Sequence, residues 1–127
     1  MSKVLLIEPD RVLATIYTRT LESAGYTVRH AISAEQAIQL VDATKPDAVI
    51  VSMEMARHNG VEFLYEFRSY SEWHDIPAIV LTNLPSTELL DDTVLREQLG
   101  VESVLVRSQT RADDLVRTLR RVARQET

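Results

Sequence analysis

The chain contains no cysteine. That excludes disulfides, zinc–thiolate centres and thiol catalysis. Its only glycines are Gly25, Gly60 and Gly100, too scattered for a loop that cradles phosphate with consecutive backbone N–H groups. Lysine is confined to Lys3 and Lys45, so nearly every cation is an arginine. No apolar run approaches the roughly 18 residues needed to span a bilayer. The opening segment MSKVLLIEPD has too short an apolar stretch, and no small-residue cleavage site, for a secretory signal. A cytoplasmic protein with no membrane partner is therefore expected. A net charge of −5 argues against long-range attraction to nucleic acid.

What is present is an alternation of apolar runs and helical patterns. A chain of 127 residues can bury one substantial core, and residues 1–127 read as a single domain. Continuous apolar runs at residues 4–7 (VLLI), 48–51 (AVIV), 78–81 (AIVL) and 104–106 (VLV) suit parallel strands covered on both faces. Residues 27–32 instead alternate. Val28, His30 and Ile32 share one face and Thr27, Arg29 and Ala31 the other, as in an edge strand.

Helical patterns fill the gaps. Asp10 is placed to cap a helix running to about Ala24, with Leu13, Ile16, Tyr17, Leu21 and Ala24 on its buried face and Gly25 ending it. Ser33 and Gln36 form a capping box for a helix to about Thr44. Residues 60–69 put Phe63, Leu64 and Phe67 on one side, and residues 85–99 read as a fourth helix stopped by Gly100. Thr110 is placed to cap a fifth, burying Ala112, Leu115, Val116, Leu119, Val122 and Ala123.

Five βα units imply a doubly wound α/β sheet with right-handed crossovers. Strand order 2-1-3-4-5 sets the wetter second strand at an edge. Function in such sheets gathers at the carboxyl ends of the strands. Those ends are Glu8-Pro9-Asp10, Ser52, Thr82-Asn83 and Arg107-Ser108.

The order of signals is specific: an acidic cluster, the PDAVIVS strand, Asn59-Gly60 after a loop, IPAIVLT, then a strand preceded by Gly100. It closely resembles bacterial response-regulator receiver domains, from Val4 to about Arg124. The resemblance implies a flavodoxin-like (βα)5 three-layer sandwich with a parallel five-stranded sheet. It also implies a site in which an aspartate ending the third strand accepts a phosphoryl group beside magnesium.

Several positions depart from that pattern. Ser52 stands at the acceptor, and a serine hydroxyl is a poor nucleophile without an adjacent base. Glu8 keeps one acidic position, Pro9 empties the second, and Asp10 is better used as a helix cap. Glu8, Ser52 and a loop carbonyl make a poor octahedral set for magnesium. Ala56 replaces the loop proline, and Val104 stands where many receivers carry a switching aromatic. Arg107 replaces a lysine that would contact the acceptor and phosphate, and is expected to pair with Glu8. Thr82 keeps the switch hydroxyl, which in the family bonds a phosphoryl oxygen. Glu54, two residues past Ser52, and His58 are expected to be solvated loop residues.

The implied reading is a pseudo-receiver, not an enzyme, acting in signal transduction through protein–protein contacts without aspartyl phosphorylation. Ser52 is then a degenerate acceptor position, Glu8 and Asp10 a vestigial acidic pocket, and Thr82 and Arg107 switch-like residues. Magnesium binding is expected to be weak or absent, with no other cofactor. The alternatives are phosphotransfer through a non-standard acceptor, and a small-ligand or nucleotide sensor using the vacated cleft.

Expected partners are other signalling proteins or an effector domain, rather than nucleic acid. The resemblance also implies a homodimer through the fourth helix, fifth strand and fifth helix. Arg111, Arg117, Arg121 and Arg124 lie largely opposite the apolar stripe of the fifth helix, as a partner face or simply a solvated one. Acidic residues of the fourth helix (Glu88, Asp91, Asp92 and Glu97) are candidates to pair with them. Trp73 is expected to close the core at the far end of the sheet.

Overall fold

The computed structural model describes residues 2–55, 59–83 and 93–126, with side chains as far as Val122. Five parallel strands form one sheet: β1 (Lys3–Ile7), β2 (Thr27–Ala31), β3 (Ala48–Ser52), β4 (Ala78–Thr82) and β5 (Val101–Val106). Their order is β2-β1-β3-β4-β5, as expected. Among the described residues four α-helices pack on the sheet: α1 (Arg11–Ser23), α2 (Ala34–Ala43), α3 (Gly60–Arg68) and the C-terminal α4 (Ala112–Glu126), which is the helix expected fifth. Every residue of β3 and β4 is buried, which is why these strands read as unbroken apolar runs.

The sheet has a core on each face. One holds Phe63, Leu64 and Phe67 of α3 and Ala37 and Val41 of α2 against Leu5, Val49 and Val80. The other holds Tyr17 and Leu21 of α1 and Leu115 and Leu119 of α4 against Val4, Leu6, Ile50 and Ile79.

Local signals explain most element ends. The Asp10 carboxylate accepts the N–H groups of Val12 and Leu13 at 2.9 and 3.0 Å, a side-chain N-cap. The chain leaves α1 through Gly25 at φ +100°, a left-handed conformation that glycine adopts at no steric cost. Ser33 Oγ accepts the Gln36 N–H at 3.2 Å. The Gln36 side chain reaches back one residue further than a capping box requires, accepting from Ile32 N–H at 2.8 Å.

Four local expectations are corrected. Ile16 is 47% exposed, and α1 instead buries Ala14 beside Tyr17 and Leu21. In β2 the alternation holds only from Thr27 to His30; Ala31 is fully buried and Ile32 lies outside at 41% exposure. Thr110 does not cap α4 with its hydroxyl, which donates to the Val106 carbonyl at 2.7 Å. The Asp114 carboxylate caps instead, taking the Arg111 N–H at 2.7 Å. That bond and Arg117 hold the Asp114 carboxyl below its ordinary range. Before β5, Val94–Gln98 forms a π turn rather than an α turn, with Leu95 and Leu99 both buried. Residues 85–92 of the expected fourth helix, including Glu88, Asp91 and Asp92, lie outside the described residues.

The end of the sheet away from the strand carboxyl termini is tied by Arg68. Its guanidinium donates to the carbonyls of Leu99 (2.8 Å), Trp73 (2.9 Å) and Gly100 (3.2 Å). Trp73 is buried there and stacks on Phe67 with centroids 5.5 Å apart, closing the core as expected.

Candidate functional site

Strand register brings the site together. Ile7 of β1 pairs with Val51 of β3, so Glu8 and Ser52 follow side by side. Ser52 pairs with Leu81 of β4, and Thr82 with Val106 of β5, so Thr82 and Arg107 complete the row. The loop leaving β3 is held close by α3. A Cβ on Gly60 would sit 2.7 Å from the Ser52 carbonyl oxygen and 2.9 Å from Met53 Cα, so only glycine fits there without backbone movement.

Arg107 occupies the centre of the cleft. Its Nη1 donates to Glu8 Oε1 at 2.6 Å, and its Nη2 donates to Ser52 Oγ. The second Glu8 oxygen accepts the Asp10 N–H at 3.1 Å. Glu8 is 1% exposed, and burial pushes its carboxyl up from its ordinary value despite the opposing pull of the Asp10 N–H and the guanidinium. The expected pairing of Arg107 with Glu8 is therefore present, and it extends to Ser52.

Ser52 is fully buried. Its hydroxyl accepts from Arg107 and donates to the Glu54 carbonyl at 3.3 Å. The proton thus points to a backbone oxygen, and no hydrogen bond joins it to Glu8. Activation of a serine nucleophile needs such a base contact.

Magnesium, which the receiver pattern implies, does not fit this donor set. It asks for several hard oxygens in an octahedron. Both oxygens of Glu8 are engaged, Pro9 offers no side-chain oxygen, and a fixed guanidinium lies between Glu8 and Ser52. Among the described residues no group of three or more His, Cys, Asp or Glu side chains is arranged to hold a metal.

Glu54 corrects the expectation of a solvated loop residue. Its Oε2 accepts the Thr82 hydroxyl at 2.7 Å and its Oε1 the Asn83 N–H at 2.8 Å. Thr82 thus keeps its switch position but engages a carboxylate of its own chain. Spacing gave no sign of this, because the partners lie 28 and 29 residues away across the sheet. Tyr17 of α1 is also buried near the cleft, where burial pushes its phenol up against the opposing effect of Arg107. His30 of β2 contacts the Glu8 carbonyl through Nε2 at 2.7 Å. Ala56 and His58 lie outside the described residues.

The arginines of α4 are separate from this cleft. Arg111, Arg117 and Arg121 are exposed. Arg117 pairs with Asp114, and Arg121 donates to Ser103 Oγ at 3.3 Å. The side chain of Arg124 lies outside the described residues.

Known proteins share this fold and much of this stretch of sequence. The profile of the response regulator receiver domain matches residues 4–120. The transcriptional regulatory protein CpxR of Klebsiella pneumoniae is 35% identical over 105 residues, 83% of this chain and 42% of that protein. The response regulator MprA of Mycolicibacterium vanbaalenii is 32% identical over 80 residues, 63% of this chain and 34% of that protein. The chain therefore spans less than half the length of these relatives. The chemotaxis protein CheY4 of Vibrio cholerae superposes with a TM-score of 0.85 at 27% identity, covering 96% of this chain and 98% of that one. With the fold and the matched span in agreement, the chain belongs to the response regulator receiver domain family of two-component signalling.

Proposed function

We propose that this receiver works without aspartyl phosphorylation, as a cytoplasmic pseudo-receiver that signals through protein–protein contacts. The carrying observation is the Arg107 guanidinium, bonded to Glu8 and Ser52 in the space where an acceptor and a metal would have to meet. Phosphoryl transfer depends on positioning and charge neutralisation by metal, and the residues present supply neither.

The test is incubation with acetyl phosphate and magnesium, read by intact mass. No adduct is expected on the wild type or on Ser52→Asp, because Pro9 and Arg107 remain in the variant. A stoichiometric, magnesium-dependent adduct on the wild type would overturn the reading. Acid stability would then assign it to serine, and hydroxylamine lability to a carboxylate.

The proposed partners are other signalling proteins or an effector domain carrying an acidic surface, met by the exposed arginines of α4. A homodimer through this face belongs to the same proposal. Reversing charge in Arg117→Glu/Arg121→Glu is expected to abolish capture of partners by the immobilised protein. Unchanged capture would remove α4 from the proposal.

A further inference from the structure

Two hydrogen-bond donors converge at the end of β4, the Thr82 hydroxyl and the Asn83 N–H. Each meets a different oxygen of one carboxylate, that of Glu54, at 2.7 and 2.8 Å. Two donors on two oxygens of a single anion are a recognition geometry, because they fix its plane as well as its position. The Glu54 main chain is held too. Its carbonyl accepts the Ser52 hydroxyl at 3.3 Å, and the next turn is pinned where Gly60 N–H donates to the Met53 carbonyl at 2.8 Å. Thr82 is fully buried and Glu54 half-buried, so the contact is partly shielded from water, which strengthens it.

We propose that Thr82 and Asn83 form a small-oxyanion site whose resident anion is the chain's own Glu54 carboxylate. Free phosphate or carboxylate reaches these donors only when Glu54 is removed. The β4 end is thereby kept in its anion-engaged arrangement permanently, without modification and without a bound ligand. This inference stands apart from the absence of phosphoryl chemistry, since it concerns donors on the unmodified protein.

The test uses nitrogen-15-labelled wild type, Glu54→Ala and Glu54→Gln, followed by NMR and amide exchange. The Asn83 N–H of Glu54→Ala is expected to exchange about tenfold faster than in the wild type, the weight of one hydrogen bond to a charged acceptor. Glu54→Gln, which keeps an acceptor but no charge, should fall between. The Ile50 and Val80 amides must stay protected, which separates this effect from unfolding. Inorganic phosphate or acetate should then move the Asn83 resonance in Glu54→Ala and leave it still in the wild type. A response to phosphate alone assigns the site to tetrahedral oxyanions, and one to acetate alone to carboxylates. Equal exchange in wild type and Glu54→Ala, equal anion response in both, or no response in either overturns the proposal. None of these readouts depends on whether acetyl phosphate modifies the protein.

Discussion

Arg107→Met lowers folding stability by about 3–5 kcal/mol at neutral pH, the usual cost of stranding one member of a buried ion pair. For a domain of this size that corresponds to roughly 10–20 °C in melting temperature. The reason lies in the unequal burial of the partners. The Glu8 side chain is 2% exposed and that of Arg107 12%. Without the guanidinium, Glu8 keeps only the Asp10 N–H, and Ser52 loses a donor as well.

The deficit carries a pH signature. Burial already raises the Glu8 carboxyl above its ordinary value of 4.5, and the Arg107 charge opposes that rise. Removing Arg107 raises it further. The native variant then holds a proton that the unfolded chain gives up, so its stability falls as pH rises through the window starting at the ordinary carboxylate value. The gap to wild type should be widest at neutral pH and narrow toward acid. Glu8→Gln together with Arg107→Met should cost less than the sum of the two single changes. Chemical denaturation across pH measures both effects; a pH-independent gap with additive costs would mean that the pair is not coupled.

The second large effect sits at the opposite end of the sheet. Phe67→Ala should cost about 3–5 kcal/mol, the range for emptying a fully buried aromatic site. Phe67 is inaccessible to solvent. Its ring lies between Phe63 and Trp73, with centroids at 5.3 and 5.5 Å, and the Arg68 guanidinium carbon is 5.1 Å above it. Collapse into the cavity is opposed because Arg68 is tied to the carbonyls of Leu99, Trp73 and Gly100. Phe67→Leu retains most of the volume and loses chiefly the ring pairs, about 0.5–1.5 kcal/mol each. Urea titrations that show a small loss for Phe67→Ala at unchanged m-value would place the weight of this core elsewhere.

The parts of this molecule that follow from periodicity were legible before the fold was seen. The runs at β3 and β4, the face of Phe63, Leu64 and Phe67, and the caps at Asp10 and Ser33 all express spacing of a few residues. The meeting of Glu8 with Arg107, 99 residues apart, was also legible, because a parallel sheet aligns its strand ends. Ile16 was misplaced because α1 turns its closest approach toward Ala14. An alanine looks neutral in sequence, yet its small side chain is what lets a helix come near. Thr110 was misread because its side chain turns back to donate to the Val106 carbonyl, while the Asp114 carboxylate takes the Arg111 N–H at the start of α4. Glu54 was missed for a different reason. Its partners are donors on another strand, and neither loop spacing nor residue type marks a carboxylate that turns inward.

The core shared by α1 and α4 has a consequence for synthesis. Tyr17 and Leu21 lie against a layer completed by Leu115, Val116, Leu119 and Val122. A ribosome adding about 5–20 residues per second takes several seconds to pass from one group to the other. Until α4 emerges, that face of the sheet is covered by α1 alone, and the part that α4 takes stays open to water. The newborn chain is thus a half-clad sheet, most vulnerable to sticking just before its arginine-rich helix arrives to cover it.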